Sequence, residues 1–149
     1  MGTQVPRGLL PELMRVLSLL SLLLLCCALQ AQMGRPIAND IGGATIQPKQ
    51  LKSVFLGNRS IWPSGKAVTV VLPSSDSENF ESVAQWALGS NGIAYQKHWL
   101  SIVFQGRAFA PVFLADEAAI IEYVKAHPGS IGLLYSSPPP PELTIRISE

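Results

Sequence analysis

The stretch LKSVFLGNRSIWPSG, residues 51–65, carries the clearest structural signals in the chain. Leu51, Val54 and Phe55 have the i, i+3, i+4 spacing that places apolar side chains on one face of a helix. Gly57 supplies a residue that tolerates the left-handed conformation with which helices commonly end. The Trp-Pro-Ser-Gly that closes the stretch predicts a turn, because proline and glycine each favour a backbone angle that turns require. We therefore expect a short amphipathic helix, a glycine stop and an aromatic-anchored turn.

Around this stretch, amphipathic helical segments alternate with short apolar runs. The predicted helices are 48–55, 75–88, 92–104 and 116–126, and the predicted strands are 37–38, 67–72, 111–114, 131–135 and 143–147. Ser75 and Glu78 have the spacing of a capping box, so Ser75 is expected to cap the second helix. Asp116 is expected to cap the fourth helix. This alternation indicates a small α/β domain with a twisted sheet.

The N-terminal segment has the pattern of a secretory signal peptide. Arg7 and Arg15 precede an apolar run over residues 16–28, and small residues follow it, which is the order that such leaders show. The run is shorter than the roughly 20 residues that a membrane-spanning helix needs. We therefore expect a signal peptide over 1–31, cleaved after Ala31 or Ala28, and a periplasmic domain over 32–149.

Cysteine content and charge narrow the function of that domain. Cys26 and Cys27 are the only cysteines, neither follows the small residue that a lipoprotein signal requires, and the domain after the leader has none. Disulfide and thiol chemistry are therefore not expected. Of the 11 basic and 10 acidic residues of the chain, nine of each remain after the leader. A neutral domain without basic runs shows no electrostatic footprint for nucleic acid.

Three sequence blocks follow one another in an informative order. Phe-Leu-Gly with Trp-Pro-x-Gly at 55–65 is followed by Phe-x-Gly-Arg at 104–107 and by Pro-Gly-x-Ile-Gly at 128–132. In this order, over about residues 37–135, they resemble one lobe of the periplasmic phosphate-binding proteins of ABC transport systems. The resemblance implies a small single-lobe domain of the type II periplasmic-binding-protein-like fold, with a short twisted sheet flanked by helices. It further implies a substrate-binding-protein-like domain for phosphate or another small oxyanion, with a permease component as partner.

The loop that should hold phosphate departs from the family pattern. In the family it reads like Gly-Ser-Gly-Thr between a strand and a helix, whereas residues 73–78 here read Pro-Ser-Ser-Asp-Ser-Glu. A helix N-terminus with hydroxyl groups attracts an oxyanion. The hydroxyls of Ser74, Ser75 and Ser77 are therefore candidate ligands. The two carboxylates of the loop would repel a dianion, and the same residues fit a helix cap.

Two arginines are the other candidate anion ligands. Arg59 and Arg107 each follow a predicted helix end, and a guanidinium binds phosphate or carboxylate in bidentate fashion. The alternative for each is a solvated surface arginine. The predicted ligand-binding set is thus Ser74, Ser75, Ser77, Arg107 and Arg59.

No catalytic motif is visible, and the chain is interpreted as a non-enzyme without a cofactor. His98 and His127 lack the companions of a metal site, and the three tryptophans are expected to pack in the core or its rim. The alternative function is an interaction or sensor-partner module that has kept the fold and lost the ligand, acting beside a membrane sensor or receptor. Its structural signature would be an exposed apolar surface.

Overall fold

The computed structural model describes residues 2, 8–28 and 34–149, without the side chains of residues 22–28. The chain divides into two units, Met1–Met33 and Gly34–Glu149. The first unit contains helix α1, Leu9–Ala28, and the side chains of its residues 9–21 are exposed. No helix within the described residues is both long and apolar enough to cross a membrane. Ala28 ends α1, whereas Arg7 and the expected cleavage position after Ala31 lie outside the described residues.

The second unit alternates strands and helices. Its elements are β1 (Arg35–Ala38), β2 (Thr45–Ile46), α2 (Pro48–Phe55), β3 (Thr69–Pro73), α3 (Glu78–Leu88), α4 (Gly92–Phe104), β4 (Val112–Leu114), α5 (Glu117–Ala126), β5 (Ser130–Leu134), a short 3₁₀ helix (Pro141–Leu143) and β6 (Arg146–Ile147). Four strands form one sheet in the order β1-β5-β3-β4, and β2 pairs with β6. Strands β5, β3 and β4 are parallel, and β1 pairs antiparallel with β5. The predicted α/β class with helices flanking a short sheet is confirmed.

The sheet separates two hydrophobic clusters because successive residues of a strand face opposite sides. Val70 and Leu72 belong to a large cluster with the buried faces of α2, α3 and α4. Val71, between them, belongs to a smaller cluster with Ile120 and Val124 of α5. Helices α3 and α4 therefore cover one face of the sheet, and α5 covers the other.

The helix stop predicted from the opening stretch is confirmed. Helix α2 ends at Phe55, and Gly57 has a φ of +71°. A Cβ at this position would lie 2.9 Å from Ile102 Cγ2, so both the backbone angle and the close packing favour glycine. The turn after it is closed by the hydrogen bond that Gly65 N donates to Trp62 O over 2.9 Å.

The predicted cap of the second helix is wrong by two residues. Helix α3 begins at Glu78, and its cap is Ser77, whose side chain accepts from Phe80 N. Ser77 N also donates to Ser74 O over 3.0 Å, so a turn precedes the helix and places Ser77 at its start. Ser75 lies inside that turn and is exposed. Asp116 caps α5 as predicted, by accepting from Ala119 N.

The C-terminal segment also differs from its prediction. A strand over 143–147 is predicted, but Leu143 ends the 3₁₀ helix, Thr144 forms an isolated antiparallel bridge to Ile37, and the paired strand is Arg146–Ile147, which lies beside Thr45–Ile46. The four prolines at 138–141 lack an N–H and hold φ near the value of a 3₁₀ or extended turn. A sheet ladder therefore begins only several residues beyond them.

Candidate functional site

Strands β3 and β4 are neighbours that end side by side, and the chain leaves them toward opposite faces of the sheet. Pro73 of β3 and Leu114 of β4 are partners in register. The chain continues from β3 into α3 on one face and from β4 into α5 on the other. In open α/β sheets, ligands commonly bind at such a point beyond the carboxyl ends of the strands. We call the loops 74–77, 115–117 and 135–137, which follow β3, β4 and β5, the carboxyl edge.

The serine loop of the carboxyl edge is hydrogen-bonded within itself. Ser77 Oγ donates to Ser74 O over 2.6 Å and accepts from Phe80 N over 3.2 Å. Ser74 Oγ donates to Asp76 Oδ1. This hydrogen bond from Ser74, together with the backbone, lowers the pKa of Asp76. Asp76 therefore stays ionised at neutral pH, and its negative charge lies where a phosphate would have to approach.

The loop after β5 surrounds a second carboxylate. Glu117 accepts hydrogen bonds from Tyr135 N, from Ser136 N over 3.0 Å and from Ser137 N over 2.6 Å. Successive backbone N–H groups that converge in this way form a concave site for an anion, called a nest. Burial raises the pKa of Glu117, but the three backbone donors together lower it below its ordinary value. The nest is thus filled by an ionised side chain of the same domain.

Carboxylates also occupy the N-termini of the other long helices in this unit. Glu81 accepts from Gly92 N, the first residue of α4, with both oxygens at 3.1 and 3.0 Å. Asp116 Oδ1 accepts from Ala119 N in the first turn of α5 over 2.8 Å. These side chains satisfy backbone donors that would otherwise attract an external anion.

The two candidate arginines lie in segments near the start of β3, away from the serines. Arg107 Nη2 donates to Asn58 Oδ1 over 3.1 Å, and Asn58 precedes Arg59. Ser60, the next residue, accepts from Val68 N just before β3, whereas the serine loop follows the opposite end of that strand. Five residues of strand span about 16 Å. The structure therefore places Arg107 beside the residue that precedes Arg59, near the start of β3, and places Ser74, Ser75 and Ser77 beyond the end of that strand.

Arg59 borders a polar hollow of about 280 Å³. Its lining residues are Gln47, Lys49, Gln50, Ser53, Asn58 and Arg59. Two of these residues, Lys49 and Arg59, are basic, and none of the described residues that line the hollow is a carboxylate. Arg59 therefore lies at a cationic hollow that does not include the serine loop.

An apolar groove lies between α4 and β4, and we call it the lateral groove. Its cavity measures about 450 Å³, and its lining residues are Ile93, Gln96, Lys97, Trp99, Leu100, Val103, Ala110, Pro111 and Phe113. Phe104 and Phe109, also largely uncovered, are 83% and 63% exposed. The ring of Phe113 packs against Phe80 with centroids 6.0 Å apart, which orients Phe113 toward the α3/α4 side of the sheet. Strand β4 is the last strand of the sheet on this side.

An exposed apolar surface is the expected signature of an interaction module. The signal lies in α4, which carries two apolar stripes. Tyr95, Trp99 and Ile102 are buried, while Ile93, Leu100 and Phe104 are exposed. A helix that is apolar around most of its circumference is expected to be covered on both sides. Here only one side is covered by the described residues.

The chain shows little similarity to known proteins. No family model matches the chain, and no curated protein matches it. A solved structure, an ABC-type phosphate transport receptor from Vibrio cholerae, aligns with 76% of this chain at 12% identity and a TM-score of 0.48. The chain covers 45% of that receptor, less than half of its length.

The remaining candidate polar groups make structural contacts. His98 Nε2 lies 2.7 Å from Leu56 O, and His127 stacks on Tyr123 with its Nδ1 at 2.8 Å from Tyr123 O. Trp62 Nε1 donates to Gly129 O over 2.7 Å. Among the residues that the structure describes, no group of three or more His, Cys, Asp or Glu side chains is arranged to hold a metal ion. Of the hollows described above, the lateral groove is the one lined mainly by apolar side chains.

Proposed function

We propose that this chain is an exported, non-enzymatic binding module that docks a protein partner in the lateral groove. The observation that supports the proposal is the uncovered apolar surface along α4 and β4. Five large apolar side chains on α4, on β4 and between them are 45–83% exposed, namely Ile93, Leu100, Phe104, Phe109 and Phe113, and exposed apolar patches often mark interaction sites. Covering this area with a partner would remove it from water and stabilise the complex.

The chemistry of the carboxyl edge favours a protein partner over free phosphate. Glu117 fills the nest at 135–137, and Asp76 is ionised within the serine loop. A phosphate dianion would have to displace the first carboxylate or bind beside the second, and both steps cost electrostatic free energy. The arginines that would compensate lie beyond the other end of β3.

In-cell photo-crosslinking tests the proposed docking surface. A benzophenone amino acid is placed at Leu100, which lines the groove and is 58% exposed, and at Ile61, a control that is 52% exposed and outside the groove. We expect a protein adduct from position 100 in the source cells and none of the same mass from position 61. The purified adduct partner should then bind Leu100→Glu about tenfold more weakly than wild type, with Ile61→Glu unchanged. No adduct specific to position 100, or equal binding by both variants, would overturn the proposal.

The second candidate function is oxyanion binding, which the location of the serine loop at the carboxyl ends of parallel strands favours. Calorimetric titration of phosphate into residues 32–149, with sulfate as the control, separates it from the first. The range is suitable because both hydrophobic clusters lie within Gly34–Glu149. We expect no saturable heat up to millimolar phosphate. Saturable micromolar binding that is lost in Ser77→Ala or Arg107→Ala would favour the oxyanion function.

A further inference from the structure

We propose that the partner binds as an extended segment that adds a strand to the free edge of β4, with apolar side chains in the lateral groove and a carboxylate facing Lys97. This inference rests on the proposed function and specifies the chemistry of the partner segment. It joins two features of the same place in the fold, an unpaired sheet edge and an apolar groove that borders it.

The edge supplies the backbone contacts. Strand β4 pairs through Val112, Phe113 and Leu114 with β3 on one side, and no further strand of the described chain lies on the other. An edge strand of this kind presents a row of N–H and C=O groups on which another chain can pair. Covering the edge without pairing these groups would leave buried donors and acceptors unsatisfied. An extended segment satisfies them, whereas a helix laid in the groove would not.

The groove supplies the side-chain contacts. Phe113 faces α4, while Leu114, its neighbour, packs against the smaller cluster on the opposite face of the sheet. A strand added beside β4 would alternate in the same way. Every second side chain of the segment would therefore point into the groove, between Phe113 and Leu100, and these positions should be apolar.

The charge of the groove favours another protein, and not a second copy of this chain, as the binding partner. Among the described residues that line the groove, Lys97 is the only charged one. It takes no part in the three ion pairs found in this part of the chain. Pairing of two β4 edges about a two-fold axis would direct the two copies of Lys97 toward the same interface, where like charges repel. A segment with a carboxylate opposite Lys97 would instead complement the charge.

Synthetic peptides of about ten residues, with the alternating pattern of strand-addition ligands, test this inference. The peptides alternate valine or phenylalanine with threonine and carry one glutamate at varied positions. Their binding to residues 32–149 is measured by fluorescence anisotropy. Matched controls replace alternate threonines by proline, which cannot donate a backbone hydrogen bond, or replace the glutamate by lysine. We expect the best glutamate peptide to bind at least about tenfold more tightly than either control.

Charge reversal and hydrogen exchange complete the test. Lys97→Glu should prefer the lysine peptide over the glutamate peptide, and Lys52→Glu, an exposed lysine outside the groove, should keep the wild-type order. Bound peptide should slow amide exchange in Val112, Phe113 and Leu114. If proline controls bind as well as their parents, or if β4 amides remain unprotected, the inference is wrong. A partner that crosslinks at position 100 without protecting β4 would leave the proposed function standing and overturn only strand addition.

Discussion

The carboxyl edge and the lateral groove differ in how far the domain completes its own contacts. At the carboxyl edge, the backbone donors at 135–137 contact Glu117, and those in the first turn of α5 contact Asp116. In the groove, Ile93 and Leu100 are mostly exposed, and the outer edge of β4 has no neighbouring strand among the described residues. The polar region is therefore internally satisfied, while the apolar region is incomplete. An external ligand would therefore gain more binding free energy in the lateral groove than at the carboxyl edge.

The largest change in the free energy of unfolding is expected when the Glu117 carboxylate is removed from the carboxyl edge. Glu117→Ala removes the acceptor shared by three backbone N–H groups and should lower the free energy of unfolding by about 2 kcal/mol, since hydrogen bonds to charged groups are the stronger ones. Urea denaturation measures the change. Glu122→Ala, an exposed change on the same helix, should alter the value by less than about 0.5 kcal/mol. Equal effects of the two changes would show that the nest contact does not stabilise the domain.

A smaller effect is expected at the helix cap, where two nearby serines can be compared. Ser77→Ala removes the acceptor for Phe80 N and should cost about 1 kcal/mol of stability. Ser75→Ala changes an exposed hydroxyl inside the turn and should be close to neutral. Thermal or urea unfolding of the pair decides which serine caps α3. The reverse order would restore the capping assignment that the sequence suggested.

The pH dependence of the Glu117 contribution is expected to be smaller than the effect of Glu117→Ala. The pKa of Glu117 is lowered in the folded domain from its ordinary value of 4.5. Its ionised form therefore stabilises the fold fully above about pH 4.5, and this stabilisation is lost as the pH falls through the lower folded pKa. The difference in the free energy of unfolding between wild type and Glu117→Gln should remain constant from about pH 7 to about pH 5 and then decrease. A difference that increases on acidification would contradict the direction of the shift.

The smallest effect on stability is expected in the lateral groove. Leu100→Gln replaces a side chain that is 58% exposed with another good helix former, so the free energy of unfolding should change by no more than about 0.5 kcal/mol. The fluorescence of anilinonaphthalene sulfonate, an apolar anionic dye, should nevertheless decrease, because the dye finds both apolar surface and Lys97 in the groove. Ile61→Gln is the matched control and should leave the dye signal unchanged. A loss of stability above about 1 kcal/mol would mean that Leu100 is a core residue.

Local sequence signals predicted much of the fold. The apolar spacing of α2, the glycine at position 57 and the Asp116 cap depend on residues within a few positions of one another, and the structure confirms them. The choice between Ser75 and Ser77 could not be made from the sequence, because both precede the same helix. It depends on the turn at 74–77, in which Ser77 reaches both Ser74 O and Phe80 N.

The candidate sites were less predictable because they depend on distant segments. Glu117 reaches a loop that begins at Tyr135, and Arg107 reaches Asn58 across a separation of 49 residues. The second apolar stripe of α4 is visible in the sequence, but its exposure depends on β4 being an outer strand. Strand order is set by packing on both faces of the sheet, and periodicity alone does not report it. The assignment of the serines and arginines to one ligand stays a prediction that phosphate titration can test.

The pairing of β1 with β5 has a consequence for the order of folding. Arg35 of β1 pairs with Leu134 of β5, which comes last in the sequence among the strands of this sheet. This contact therefore closes a loop of nearly the whole domain and is slow to form. During synthesis from the N-terminus, β1 is made well before its partner β5. The sheet is therefore completed only after most of the domain has been synthesised.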